Sequence, residues 1–458
     1  MLIHDHFNTP VVQVILLGFV CLCCPGMFNA LSGLGAGGSM SSDVGLTDAA
    51  NGALYGCFAI VGFFAGSITN TLGVKYTLTI GSIGYAIYSA AFWVYDRKHV
   101  SGFVVAAGAI LGCLAAIFWS AQGAIMMSYP EEKNKGKSVA IFWALFNCGG
   151  IIGSLITLGM NLKNTNKGGV STGTYTAFVI IMLAGVLFSF TLANPSKVIR
   201  SDGTRVVVSK SADWRTEVKG VVKVWKEWRM LALVPAFLAS NWFYAYQFKI
   251  NSIYFDPSTR ALNDLLYWAM QVTGSGLLGY LLDLQSLKRR TRGLIALCIL
   301  FLVLNIVWAG GFAFQLTFDA STYSDPIHWT SHRFGGPFVL FIFYGFSDSI
   351  YQTYLYWLMG AMSNDPALLA RYAGFYKAVQ SAGAAIAFGI DASSVRLRWE
   401  CLICWILVFI SFPFIFLVAN KIKDTNISLI VEENDLKEEI STPYQNDTKI
   451  TDPLEKAC

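Results

Sequence analysis

The chain has 458 residues, 55% of them hydrophobic and only 13% charged, with a mean hydropathy of +0.52 and a net charge of +5. Soluble proteins carry about 25% charged residues, so there is too little charge here to cover a water-facing surface of this size. A soluble enzyme, a disordered regulator and a nucleic-acid-binding module are excluded, and the Trp, Tyr and Phe load suits bilayer interfaces. An apolar helix needs about 20 residues to cross the hydrocarbon core. Twelve stretches meet that length, at 11–34, 49–69, 77–95, 102–128, 138–160, 175–194, 231–255, 262–282, 294–316, 336–360, 369–390 and 400–419. They predict an all-α membrane protein with twelve transmembrane helices in two pseudo-symmetric six-helix bundles, 1–194 and 231–420, joined by a central segment at 195–230 and followed by a polar tail at 421–458. The first run is too long for a secretory leader and lacks a small-residue cleavage site, so no cleavable signal is expected.

Orientation follows from the loops. With the N-terminus inside, the inner connections hold 18 Lys and Arg and the outer ones 8, which predicts cytoplasmic N- and C-termini. In the central segment, Trp214, Val218, Val221, Val222, Trp225 and Trp228 recur at helical spacing with Arg215, Lys219, Lys223 and Lys226 between them. That pattern reads as an amphipathic helix on the inner leaflet, or as an inward extension of the seventh span. The tail is acidic and poor in aromatics, which predicts disorder.

Internal matches link the two halves. Gly66 to Asn70 matches Gly279 to Asp283, Gln122 matches Gln352, and Phe142, Asn147 and Gly150 match Phe375, Gln380 and Gly383 at an offset of 233. Their common order resembles the plan of the major facilitator superfamily, two parallel six-helix halves.

The first six spans contain no Asp, Glu, Lys or Arg. In the second half Lys249 lies in the outer third of span seven, Asp348 near the middle of span ten and Lys377 in the inner half of span eleven. A charge at the bilayer centre costs about 2.5–3.5 kcal/mol on insertion scales, so it normally faces protein or water and has a partner. At about 1.5 Å per residue the depths of Asp348 and Lys377 differ by roughly 6 Å, within reach of a Lys stem. Adjacent spans could pair them, either to bind a solute or proton or simply to fix helix packing. On span ten Tyr344, Asp348, Tyr351 and Gln352 recur at i, i+4, i+7 and i+8, and Trp143, Asn147, Gln122, Asn29, Gln380 and Ser381 offer further polar groups on facing spans. Such convergence suits a mid-membrane binding site, and each amide alone suits a cross-helix hydrogen bond equally. The His residues lie in loops or at the N-terminus and form no metal set, and no nucleophile–base set or phosphate loop occurs. Neither enzyme chemistry, metal nor cofactor is expected.

Gly66-Ser-Ile-Thr-Asn70-Thr-Leu-Gly73-Val-Lys75 resembles the loop motif between spans two and three of major facilitator transporters, usually GxxxD(R/K)xG(R/K)(R/K). In that family the Asp and the basic residues form an inner charge latch. Here Asn70 replaces the Asp, whereas the second half keeps Gly279 and Asp283. The strings CPGMFNAL from Cys24, YPEEKNKGKSVAIFW from Tyr129, YWLMGAMSND from Tyr356 and RYAGFYKAVQSAGAA from Arg371 are similar to the fungal branch of the UNC-93-like family. The resemblance covers roughly 10–420 and implies the twelve-helix fold. It implies less about activity, since members include regulators of potassium channels and trafficking chaperones for immune receptors. Two readings are therefore weighed: alternating-access transport of a small solute, which the central polar line favours and in which Asp348 is the candidate for proton coupling, and a non-transporting regulator or trafficking partner of another membrane protein. Glu131 and Glu132 fall in the inner loop between spans four and five, where they are expected to latch onto Lys137 or Arg371 or to be solvated.

Overall fold

Local sequence sets most helix boundaries. Pro257 and Pro366 occupy first-turn positions where a missing N–H costs nothing, and the preceding Asp256 and Asp365 accept from the free amides of Ser258, Thr259 and Ala367. Gly73 breaks one helix and starts the next at a φ of 85°, a conformation that a side chain would strain.

The computed structural model describes residues 7–33, 44–161, 172–200, 203–206, 214–317, 326–393 and 395–426. Helix α1 has three pieces: Pro10–Cys21, a π-helical turn over Leu22–Gly26 and Met27–Gly33. There follow α2 (Val44–Leu72), α3 (Val74–Lys98), α4 (Ser101–Ser128), α5 (Lys135–Asn161) and α6 (Thr172–Ser189). The central segment forms α7 (Trp214–Lys226) and the short α8 (Trp228–Ala232). The second set is α9 (Val234–Tyr254), α10 (Pro257–Leu282), α11 (Arg289–Leu316), α12 (Gly335–Met362), α13 (Pro366–Ala392) and α14 (Leu397–Ala419). Residues to Asp424 form one compact unit. The expected disorder of the tail falls almost wholly on 427–458, outside the described residues.

Seven of these helices are long and apolar enough to cross a membrane: α1 to α5, α11 and α14. Helix α6 has only 18 residues, and α9, α10, α12 and α13 carry buried polar side chains such as Gln247, Asp264, Asp348 and Lys377 that lower their hydropathy. Outward-facing apolar residues, including Ile60, Leu187 and Ile306, are more than three-fifths exposed, as expected where lipid replaces water.

Packing repeats between the two sets. Helix α1 packs on α5 as α9 packs on α13; α2 packs on α4 as α10 on α12; α3 packs on α4 and α6 as α11 on α12 and α14. Between the sets, α2 lies on α13 and α5 on α10. The backbone contacts correct the expected register. Gly149 faces the carbonyl of Leu22 on α1 as Gly383 faces the carbonyl of Leu238 on α9, and Gly279 faces the carbonyl of Gly136 as Gly66 faces that of Ala370. Both pairs relate α5 to α13 by 234 rather than 233. The partners of Trp143 and Asn147 are therefore Lys377 and Ser381, and Gly150 instead meets Trp268 across the interface.

The two sets are fastened where 129–134, 195–230, 283–288 and 363–365 join the helices, here termed the basic face. Asp283 accepts from the amides of Gly136 (2.9 Å) and Lys137 (2.5 Å) and so caps α5 from the opposite set. Lys135 returns the arrangement, donating to the carbonyls of Gly360 and Ser363 at the end of α12 and to Asn364 Oδ1. Anion at a helix start and cation at a helix end both oppose the helix dipole, each worth about 0.3–1 kcal/mol when exposed. Burial pushes the Asp283 carboxyl above its usual range, against the pull of the Lys137 and Gly136 amides and of Arg292.

Candidate functional site between the two helix sets

A cavity of about 70 Å³ lies between the sets. Pro25 lines it from the π-helical turn of α1, where the ring removes a backbone donor and the helix widens by one residue. That widening precedes Phe28 and Asn29, which also line the cavity. The rest of the first set's contribution is mostly aromatic and includes Tyr55, Phe58, Tyr85, Trp119, Trp143 and Phe146. The second set supplies the polar groups: Asn241 and Tyr244 on α9, Gln352 on α12, and Lys377, Gln380 and Ser381 on α13.

Asp348 lies immediately behind this lining, 1% exposed. Its carboxylate accepts from Tyr244 Oη at 2.6 Å, Gln352 Nε2 at 2.6 Å and Gln271 Nε2 at 2.9 Å. The Tyr267 hydroxyl lies 3.5 Å away and donates over the shorter distance of 3.0 Å to Gln247 Oε1. Gln271 in turn accepts from Trp143 Nε1 at 3.1 Å, which ties α5 of the first set to the acid.

Lys377 does not pair with Asp348 directly. Its ammonium donates to Gln380 Oε1 at 2.7 Å, and Gln380 Nε2 donates to Gln352 Oε1 at 3.0 Å, while Gln352 reaches Asp348. Two amides with their oxygens toward the cation and their nitrogens toward the anion thus link the charges head to tail, an arrangement in which each bond polarises the next. An amide chain transmits electrostatics and not protons. The ammonium also lies 4.4 Å from the Trp119 ring centroid, 5.1 Å from Tyr376 and 5.5 Å from Tyr356.

The other expected residues divide. Trp143, Asn29, Gln352, Gln380, Lys377 and Ser381 line the cavity. Gln122 accepts from Tyr356 Oη at 3.2 Å, a link between the sets outside the cavity. Asn147 turns back on the carbonyl of Trp143. Tyr344 packs on Trp308, and Tyr351 bonds Ser411 on α14 at 2.8 Å, so both face neighbouring helices. Lys249 is paired locally with Asp391 and Glu400.

Sequence reasoning passed over Gln271, Tyr244, Tyr267 and Asp264. Asp264 is buried on α10, accepting from Ser154 Oγ at 2.7 Å on α5 and Trp268 Nε1 at 3.0 Å. Its signal was present as an acid inside an apolar run.

At the basic face Gly66 and Gly279 let α2 approach α13 and α10 approach α5; a Cβ at either would fall within 3 Å of backbone. Asn70 donates to the Ala367 carbonyl (3.3 Å) and to Glu217 Oε2 (3.5 Å). Glu217 comes from α7 and pairs with Arg371 on α13 at 2.9 Å. Glu131 and Glu132 do not reach Arg371: Glu131 pairs with Lys133 at 3.0 Å and Glu132 with Arg289 at 3.5 Å. Lys75 is half-buried beside Gly73 at the start of α3.

A family model described as "Ion channel regulatory protein UNC-93" matches residues 39–416. UNC93-like protein 1 of Arabidopsis thaliana is 41% identical over 90% of this chain and 91% of its own length. An UNC93-like protein of Schizosaccharomyces pombe is 42% identical over 88% of this chain and 80% of its own. Among solved structures, the human organic anion transporter MFSD10 aligns at a TM-score of 0.61 and 14% identity, covering 90% of this chain and 99% of that one. The transporter FucP in its outward conformation aligns at 0.60 and 13%, covering 89% and 98%. At such identities these structures speak for the fold alone. The chain belongs to the UNC-93 family and is a multi-pass membrane protein with the major facilitator fold.

Proposed function

We propose that this protein carries a small solute by alternating access, with twelve spans divided into six-helix halves at 1–194 and 231–420 and both termini in the cytoplasm. The observation that supports this most is the cavity between the sets, to which both contribute and which is backed by a buried acid and a buried base. The candidate solute or proton ligands are Asp348, Lys377, Gln352, Gln380, Trp143 and Asn29, with Gln122, Asn147, Tyr344 and Tyr351 packed behind them. The inner gate is Gly66, Asn70, Gly73, Lys75, Gly279, Asp283, Glu131 and Glu132.

Asp348 is the site proposed for proton coupling. Protonation would leave three donors facing a group that accepts less well and would loosen the amide chain to Lys377. Asp348→Asn should therefore abolish pH-dependent uptake in proteoliposomes without loss of folded protein at the membrane. Unaltered pH dependence in that variant would sink the coupling. The solute is sought by comparing metabolites in cells lacking and overproducing the protein.

A second reading is a regulator or trafficking partner of another membrane protein, and the family description supports it. So does the lack of charge within the first six spans. Crosslinking in native membranes separates the two. A stoichiometric membrane partner without any metabolite change would favour the regulator.

A further inference from the structure

The acid and the base of the cavity are satisfied unequally. Asp348 accepts from three hydrogen-bond donors, Tyr244, Gln271 and Gln352. Lys377 has three N–H donors and one acceptor, Gln380 Oε1, among the described residues, with aromatic faces covering other sides. It is the one cationic residue of the cavity lining. A buried ammonium without an anion in contact is a costly arrangement unless something completes it. The carboxylate already holds three donors, and two amides stand between it and the cation. The imbalance specifies the charge of the missing ligand.

The lining specifies its body. Rings of Phe28, Phe58, Tyr85, Trp119, Trp143 and Phe146 make up most of the first set's wall, where Asn29 and Tyr55 are the other polar members, and the remaining polar groups belong to the second set. A polyhydroxylated solute would find partners on the second set's wall and few on this one. A planar or apolar body would bury area against the rings.

Resting on the reading of the cavity as a solute site, we infer that it takes a small organic carboxylate whose anionic group contacts Lys377 and whose apolar body lies against Trp119, Trp143 and their neighbours. Charge balance gives the coupling its sense. With Lys377 and Asp348 opposite in charge and linked through Gln380 and Gln352, an entering anion leaves one negative charge in excess. Uptake of one proton by Asp348 removes it. The titratable groups facing the acid are Tyr244 on α9, Tyr267 on α10, Tyr376 on α13 and, through the amides, Lys377 on α13; Cys21 on α1, Tyr356 on α12 and Tyr376 face Lys377. Anion and proton then enter together.

The test is the thermal stability of the purified full chain in nanodiscs with acetate and benzoate, against the neutral isosteres acetamide and benzamide and the cation benzylammonium. Benzoate is expected to bind at least tenfold more tightly than benzamide, and more tightly at pH 6 than at pH 8. Lys377→Gln should abolish the preference for carboxylates, and Lys377→Arg, which keeps the charge and guards against a folding defect, should retain it. Asp348→Asn should remove the pH dependence of the benzoate-over-benzamide preference. The anion site is overturned by carboxylates binding no better than amides, by a preference for benzylammonium, or by an unchanged preference in Lys377→Gln. Transport is judged separately. Carboxylate binding without flux keeps the site and removes the carrier, whereas flux of a neutral or cationic solute keeps the carrier and removes the site.

Discussion

Asp348, Gln352, Tyr344 and Tyr351 show what a single helix can reveal before its neighbours are known. At about 100° per residue the four occupy an arc of roughly 100° on α12. That arc is wide enough to face two things: Asp348 and Gln352 turn to the cavity side, and Tyr344 and Tyr351 turn to α11 and α14. Spacing gives the arc, and packing decides where it is divided. The pairing of Lys377 with Asp348 was legible only as proximity in depth, because the intervening amides come from two different helices. Asp264 was harder still, since its two donors lie on α5 and one turn along α10. Trp268 Nε1 can only donate, so Asp264→Ala would remove its acceptor along with that of Ser154. The expected loss is about 1–3 kcal/mol, the cost of one unsatisfied buried group, seen as a lower Tm. An unchanged Tm would mean that Trp268 finds another acceptor.

Among the elements, α7 departs most from the expectation formed on its sequence. Its apolar residues were expected to share one lipid-facing side, yet they divide between two. Glu217, Val221 and Val224 turn to the protein, while Val218, Val222 and Trp228 are exposed, and Trp225 sets its edge against Phe63. The helix lies on α2 and α13 and is separated from α9 by α8, so it is no extension of the seventh span. Asn70 stands where the second set has Asp283, and the carboxylate missing there arrives from α7 as Glu217. No local pattern could have placed an acid 147 residues away beside that motif. Glu217→Gln should therefore widen the distance between spin labels at Thr71→Cys and Ser286→Cys at the basic face. Adding Asn70→Asp should narrow it again by returning a carboxylate to α2. An effect of Asn70→Asp that merely adds to that of Glu217→Gln would remove the latch. Burial raises the Glu217 carboxyl, but hydrogen bonds from Ser67, Arg371 and Asn70 and the Arg371 charge more than reverse this, and it lies below its usual value. A depressed carboxyl stabilises the closed form above the free glutamate value of about 4.3 and loses that contribution as pH falls through its own lower value. The closed population should thus hold from neutral pH to about pH 5 and decline in stronger acid.

For the molecule as a whole, the fold was the most legible feature, because apolar length and Gly-Asn or Gly-Asp punctuation recur in both sets. Register was less so: Phe142 and Phe375 match as letters at an offset of 233, while the equivalent backbone contacts made by Gly149 and Gly383, and by Gly136 and Ala370, require 234. The corrected register puts Lys377 where the first set has Trp143, so one binding wall is cationic and its counterpart aromatic. It also equates the α2–α13 and α5–α10 seams, both closed at the basic face by glycine against backbone. At the basic face the polar caps at Asp283, Lys135 and Glu217 hold these seams closed. A carrier must part these seams, whereas a fixed scaffold for a partner need not. A built Cβ on Gly279 lies 2.8 Å from the Cβ of Ala140, so cysteines at both positions can be bridged with a shift of about 1 Å. In the oxidised Ala140→Cys, Gly279→Cys protein, hydrogen exchange along the cavity-lining stretch of α13 should slow at least tenfold relative to the reduced form. Reduction should restore it, because the basic face is then free to open. Equal exchange in the two forms would show that this face stays shut, which removes alternating access through it and leaves the regulatory reading as the better account of the fold.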